Sequence, residues 1–99
     1  MMRTIHKVPL YVKDEQTHTL PKGAKLLAVQ VQREQPCLWF ECDTNKSMVP
    51  RVIKTFGTGK ELPKNEALRY IGTYQLQDGA LVYHVYEELS AIDALAELI

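Results

Sequence analysis

The sequence has no long apolar run and no recognisable export signal. Its apolar stretches stay well below the roughly 18 to 20 residues that a membrane-spanning helix requires. Basic side chains occur in residues 1–16, but no sustained apolar segment and no small-residue cleavage site accompany them, which argues against a signal peptide. We therefore expect a cytoplasmic protein that does not enter a membrane.

Neither sign of charge is in surplus. Lys and Arg total 12, as do Asp and Glu, so the formal net charge is zero. A neutral chain has no overall field to attract nucleic acid or an anionic membrane, and neither is expected as a partner. Zero net charge instead favours self-association, which makes a homo-oligomer one expectation.

Side chains for catalysis or metal binding are scarce and scattered. The two serines fall in a predicted loop (Ser47) and at a predicted helix cap (Ser90), and neither lies in a nucleophile elbow. The three histidines are not at ligand spacing. Cys37 and Cys42 are about 16 Å apart on one predicted strand, at roughly 3.3 Å per residue, too far for a disulfide. We expect free thiols, no metal, no cofactor and no enzyme activity.

The strongest positive signal is the segment 68–88, where two apolar and aromatic runs flank Asp78-Gly79. Asp-Gly tolerates the positive φ angles of a two-residue type I′ turn, and such a turn fixes the hairpin register. One face of this hairpin has the composition of a core, and the other mixes polar and aromatic side chains. The predicted pairs are Leu76–Leu81, Tyr74–Tyr83, Gly72–Val85 and Tyr70–Glu87 on the first face, and Gln75–Val82, Thr73–His84, Ile71–Tyr86 and Arg69–Glu88 on the second.

Five more segments have strand composition or alternation: 3–12, 16–20, 25–32, 37–42 and 51–56. Pro9 marks the first as an edge strand or places a bulge there. A turn at Asp14-Glu15 would set Tyr11 opposite His18. A turn closing Arg33 onto Pro36 would pair Val31 with Leu38, Val29 with Phe40 and Leu27 with Cys42, and would leave Trp39 on the other face beside Gln30.

The last ten residues change to a helical period. Ser90 can cap a helix, with Asp93 as its capping-box partner. Ten residues are marginal as an isolated helix, so we expect this one to pack on its own domain or on a partner chain. The apolar stripe consists of Ile92, Leu95, Ala96 and Ile99.

These elements predict an all-β, mainly antiparallel fold. Residues 1–88 would form a compact seven-stranded sandwich or small barrel, and 89–99 a short C-terminal helix. The same strand pattern suits either architecture, so both remain open.

The stretch Phe56-Gly57-Thr58-Gly59-Lys60 allows two interpretations. Its glycines and lysine could cradle a phosphate, but the spacing and the following helix of a P-loop are missing, which favours a tight turn that ends a strand.

Aromatic side chains beside amides and cations are typical of base stacking or protein recognition, although a covered face would make the same residues core. The candidate partner- or ligand-binding residues are Gln30, Trp39, Arg51, Lys60, Ile71, Thr73, His84 and Tyr86, and the candidate oligomer or partner helix presents Ile92, Leu95 and Ile99.

The motifs IHKVPLYVKDEQ, LPKGAK, VQVQ, CLW, FGTG, YIGT and LVYHVYE occur in this order between residues 5 and 87. In this pattern the chain resembles a widespread group of small uncharacterised proteins encoded by bacteriophages, prophages and some bacteria. The resemblance implies a phage or prophage origin and a small β-rich domain, and it implies no reaction. Members of the group end near the position of Glu87 or Glu88, so the predicted helix is a departure.

Two functions are compatible with these observations. The first is a cytosolic accessory protein that binds a host or phage protein, such as a defence component, through the Trp39 face or the terminal helix. The second is a protein that sequesters a nucleotide-like anion between aromatic rings and Arg51 or Lys60. An enzyme ranks third.

Overall fold

A computed structural model describes residues 2–97, which form seven strands and one short helix. The strands build two separate antiparallel sheets, with orders β1-β4-β3 and β2-β5-β7-β6. The predicted all-β fold with a C-terminal helix is confirmed, and the two sheets make it a sandwich rather than a closed barrel. The elements are β1 (Arg3–Pro9), β2 (Glu15–Pro21), β3 (Lys25–Gln32), β4 (Gln35–Asp43), β5 (Met48–Gly57), β6 (Leu68–Leu76), β7 (Leu81–Glu88) and α1 (Ala91–Glu97).

The core lies between the sheets and takes alternate residues from each strand. On β4, for example, Leu38, Phe40 and Cys42 are buried and belong to the core, so Trp39 and Glu41 between them point to the opposite face. This alternation decides which side chains are left for recognition. The buried clusters contain Leu10, Val29, Leu38, Ile53, Tyr74 and Val85 in one group and Leu20, Ala24, Phe40 and Cys42 in the other.

The hairpin turn forms where the sequence predicts it. Ala80 donates its backbone N–H to the carbonyl of Gln77 (3.0 Å), and the two central residues Asp78 and Gly79 have φ angles of 55° and 89°. The predicted pairs nearest the turn, from Leu76–Leu81 to Gly72–Val85, are confirmed.

A bulge in β6 changes the pairing beyond that point. Ile71 is the extra residue, and it packs against the core, while Tyr70 turns outward and is 55% exposed. A Cβ on Gly72 would lie 3.2 Å from the Cβ of Val29, so the two sheets approach closely beside the bulge. Predictions for this end are therefore wrong: Tyr70 pairs with Tyr86 instead of Glu87, Arg69 with Glu87 instead of Glu88, and Ile71 has no cross-strand partner.

The β3–β4 hairpin is also shifted from its predicted register. The turn consists of Arg33 and Glu34, both with positive φ (50° and 66°), and β3 has a bulge at Leu27. The predicted pairs of Val31, Val29 and Leu27 are wrong. The observed pairs are Val31–Pro36, Val29–Leu38, Gln30–Cys37, Ala28–Trp39 and Leu26–Phe40.

Strands β1 and β2 are not a hairpin. Among the described strands β1 pairs only with β4, so it is an edge strand, which confirms the interpretation of Pro9. β2 lies in the other sheet and sets His18 opposite Arg51, so the predicted Tyr11–His18 pair is wrong. The chain crosses between the sheets here, and the buried Gln16 side chain holds the crossing through two hydrogen bonds with the Tyr11 backbone (3.0 and 2.7 Å).

The His18 ring is partly buried on the inner face of β2. Its Nε2 is 2.8 Å from the side-chain oxygen of Gln16, which accepts, so the neutral ring carries its proton on Nε2. Burial lowers the pKa of His18 from its ordinary value because the charged form loses hydration.

Acidification should therefore destabilise the protein through His18. Below pH 6.5 the unfolded chain takes up this proton first, so the free energy of unfolding falls until the folded-state pKa is passed. His18→Gln does not titrate and should lose this part of the pH dependence. Urea unfolding of both proteins at about pH 7.5 and about pH 5 tests the prediction, and equal pH dependence in the two would contradict it.

Helix α1 begins at the predicted cap, because Ser90 Oγ accepts the N–H of Asp93 (3.2 Å). The side chains of Ile92 and Leu95 are 81% and 63% exposed. The helix therefore presents these two members of the apolar stripe to solvent, and Ile99 lies outside the described residues. Cys37 and Cys42 are both buried and free, as predicted.

Candidate functional site

The outer face of the three-stranded sheet carries an apolar centre. Alternation places Ile5 and Lys7 of β1, Trp39 of β4 and Ala28 of β3 on the side away from the core. Ile5 is 57% exposed and Leu27, at the bulge, is 40% exposed, so the described chain leaves this surface largely uncovered. We call this surface the Trp39 face.

Trp39 lies on the middle strand, between Lys7 and Ala28. The Lys7 ammonium is 5.8 Å from the centroid of the indole ring, within the range of a cation–π contact, and it also donates to the Gln32 side chain. This contact with the Lys7 ammonium orients the indole ring. The one tryptophan of the chain is thus half-buried, oriented and accessible.

Charged side chains border the Trp39 face. Arg3 pairs with Glu41, and this hydrogen bond lowers the pKa of the Glu41 carboxyl. An exposed pair of this kind adds little stability, so its main consequence is local charge beside the apolar centre. Gln30, predicted to lie beside Trp39, is on the same face but opposite Cys37.

The outer face of the four-stranded sheet carries a row of rings, which we call the aromatic face. Phe56 and Tyr70 both contact Tyr86 edge-on, with ring centroids 5.7 and 5.4 Å apart. Sequence reasoning found Tyr86 but missed Phe56 and Tyr70. Phe56 was detectable from alternation on β5, whereas Tyr70 reaches this face only because of the bulge in β6.

His84 is held between two threonines on the aromatic face. Its Nε2 is 2.7 Å from Thr58 Oγ1 and its Nδ1 is 3.0 Å from Thr73 Oγ1. Thr73 Oγ1 is also 2.6 Å from the hydroxyl of Tyr70. The predicted Thr73–His84 pair is confirmed, and both ring nitrogens of His84 have partners among hydroxyls that can donate or accept.

A hollow of about 260 Å³ lies between the aromatic face and the turn after β5. The rings of Phe56, His84 and Tyr86 line it together with Lys60. The backbone N–H of Lys60 donates to the Gly57 carbonyl (3.1 Å), so this amide closes a tight turn and is not free to bind a phosphate.

Carboxylates surround Lys54, which lines a neighbouring hollow that shares Phe56 and Lys60 with this one. The Lys54 ammonium lies 2.8 Å from Glu66, 3.1 Å from Glu15 and 3.9 Å from Glu88. The hydrogen bond to Glu66 raises the pKa of Lys54. The Lys60 ammonium is itself 4.0 Å from Asp14. Three carboxylates around one lysine make this region unfavourable for an anion.

The Arg51 side chain is mostly buried, with 18% of its surface exposed. It lies on the inner face of β5, where two of its nitrogens bind the buried Glu87 carboxylate and a third donates to the Ala24 carbonyl (2.9 Å). The hydrogen bond to Glu87 raises the pKa of Arg51.

The structure therefore divides the predicted site residues among separate places. Gln30 and Trp39 share the Trp39 face, and Ile71 and Arg51 face inward. The set that it does bring together is Lys60, Thr73, His84 and Tyr86, on or beside the aromatic face.

Among residues 2–97, no group of three or more His, Cys, Asp or Glu side chains could hold a metal ion. The helix in this part of the chain is too short to cross a membrane.

The protein is thus a small antiparallel β-sandwich, with the Trp39 face on the outside of one sheet and the aromatic face on the outside of the other. The chain belongs to a family described as a domain of unknown function, DUF7352, whose model matches residues 1–94. The match passes Glu88 and reaches into α1. No curated protein and no solved structure matches the chain.

Proposed function

We propose that the protein is a phage- or prophage-encoded accessory protein that binds a host or phage protein in the bacterial cytoplasm, through the Trp39 face. The observation that carries the proposal is the oriented, half-buried Trp39 at the centre of an uncovered sheet face. The resemblance of the motif pattern to a group of small phage and prophage proteins supports the origin.

The Trp39 face has the composition of a protein interface. Tryptophan is enriched among residues that dominate binding energy, and such anchors are usually surrounded by apolar neighbours and a polar rim. Ile5 and Leu27 supply the exposed apolar neighbours, and the Arg3–Glu41 pair supplies part of the rim. The exposed Ile92 and Leu95 of α1 offer a second apolar surface, without an aromatic anchor.

Photo-crosslinking from the two outer faces tests the proposal. A benzoylphenylalanine in place of Leu27 reports on the Trp39 face, and the same group in place of the exposed Thr17, on β2, reports on the other sheet. We expect a discrete crosslinked protein in bacterial cells from position 27, and its loss when Trp39→Ala is added. Equal products from positions 27 and 17 would refute a specific Trp39 face.

Sequestration of a nucleotide-like anion is the second candidate, because Lys60, His84 and Tyr86 share one hollow. Its volume of about 260 Å³ is below the range of about 300–1,000 Å³ typical of ligand pockets. The carboxylates around Lys54, and Asp14 beside Lys60, also oppose an anion. This candidate requires a small anion that stays bound through purification and is lost in Lys60→Glu.

A further inference from the structure

Strand β1 has one open edge. It pairs with β4 on one side, and no strand in the described part of the chain pairs with it on the other. An edge of this kind offers a row of unpaired backbone N–H and C=O groups to an incoming strand.

Two hydrogen bonds show which residues face the open edge. Leu10 donates its N–H to the Pro36 carbonyl (2.9 Å), and the Met2 carbonyl accepts from Thr44 (3.0 Å). Both bonds extend the β1–β4 ladder through even-numbered residues. Because alternate residues of an antiparallel strand bond to the same neighbour, the odd-numbered residues turn their N–H and C=O groups outward.

The open row is therefore Arg3, Ile5 and Lys7. Pro9 has the same parity and no N–H, so it ends the row of donors. The side chains of these three residues also lie on the Trp39 face. The exposed Ile5 lies between Lys7 and Arg3, whose exposed guanidinium also pairs with Glu41. The other sheet has two edge strands. β2 presents the threonines 17 and 19 in the corresponding positions and no exposed large apolar side chain, and β6 approaches β3 closely at Gly72.

We infer that the partner adds an extended, acidic segment to the open edge of β1, so that an apolar side chain lies beside Ile5 and carboxylates lie beside Arg3 and Lys7. This inference rests on the proposed protein-binding function. In such strand addition the backbone hydrogen bonds supply affinity, and alternate side chains supply specificity.

Charge disfavours a second copy as the occupant. An antiparallel pair of β1 strands centred on Ile5 would set Arg3 of one copy opposite Lys7 of the other, and like charges directly opposite each other are destabilising. Carboxylates of a partner segment opposite Arg3 and Lys7 would instead attract these two cations.

A designed peptide provides the probe. The blocked heptapeptide Thr-Glu-Thr-Val-Thr-Glu-Thr has the required spacing, and its control carries lysine in place of both glutamates. Hydrogen exchange followed by NMR reads out each amide of β1. Without peptide, Arg3, Ile5 and Lys7 should exchange quickly and Thr4, His6 and Val8 slowly. Saturating acidic peptide should slow the odd-numbered amides at least about tenfold, and the lysine peptide should not.

Backbone variants separate strand addition from side-chain contact. Ile5→Pro removes the isoleucine side chain together with an N–H donor that the β4 ladder does not use, and it should abolish the effect. Ile5→Ala removes the side chain alone and should retain part of it. Thr17→Pro on β2 is the matched control. Should Ile5→Pro unfold, Arg3→Glu with Lys7→Glu should instead transfer the protection to the lysine peptide.

The inference fails if the acidic peptide protects none of the three amides, or if both peptides protect them equally. If these amides become protected without peptide as the protein concentration rises, a second copy occupies the edge. That result would also overturn the inference. If Ile5→Pro does not abolish crosslinking from position 27, strand addition is refuted, but the proposed protein-binding function is not.

Discussion

Glu87→Gln should lower the free energy of unfolding by about 3–5 kcal/mol, since removing one partner of a buried ion pair leaves the other charge uncompensated. Glu87 is 4% exposed and Arg51 is 18% exposed, and the two are joined by two hydrogen bonds. A loss of this size is a large share of the roughly 5–15 kcal/mol that stabilises a typical domain. Chemical denaturation at neutral pH measures it.

Two further variants test the cause of this loss. Glu41→Gln removes the carboxylate of the exposed Arg3–Glu41 pair and should leave the denaturation midpoint unchanged. The double variant Arg51→Met with Glu87→Leu removes both charges and should recover most of the stability. A double variant as unstable as Glu87→Gln would show that lost packing, and not an unpaired guanidinium, is responsible.

Trp39→Ala should reduce partner binding by about 30-fold or more, which corresponds to the roughly 2 kcal/mol that defines an interface hot spot. Its effect on stability should be near 1 kcal/mol, because the indole points away from the core. Titrating the partner identified by crosslinking against wild-type and variant proteins measures the change in affinity.

Tyr70→Ala is the matched control for Trp39→Ala. It truncates another exposed aromatic side chain, on the outer face of the other sheet, and should leave affinity unchanged. A large loss with Tyr70→Ala and none with Trp39→Ala would move the interface to the aromatic face.

Local turn chemistry explains which parts of the fold could be predicted. Asp78-Gly79 fixes the register for the pairs closest to it, and those pairs are correct. The bulge at Ile71 lies beside the close approach of Gly72 to Val29 on β3, a contact across the sandwich that a hairpin pattern does not contain. The predicted pairs beyond the bulge are therefore wrong.

The alternation of side chains along a strand predicts which face of the sheet a residue lies on better than it predicts the residue's cross-strand partner. A two-residue shift between β3 and β4 preserves parity, so Trp39 points outward in both registers although its neighbour changes from Gln30 to Ala28. The observed turn requires positive φ at Arg33 and Glu34, for which neither residue gives a strong signal.

Arg51 lies apart from the predicted binding surface for a different reason. Nothing in the sequence next to Arg51 indicates that its guanidinium is paired within the fold. Its partner Glu87 is 36 residues away in the sequence and becomes a neighbour only when β5 and β7 pair. A buried ion pair of this kind depends on sheet order, which strand composition does not determine.

Native mass spectrometry of the untagged protein, gently purified from bacterial cytoplasm, tests the central claim most directly. If the Trp39 face binds a protein, the wild-type spectrum should contain the chain plus a second polypeptide, and Trp39→Ala should show the chain without it. An added small molecule that persists in Trp39→Ala, with no second polypeptide in the wild type, would contradict protein binding and favour the hollow beside Lys60.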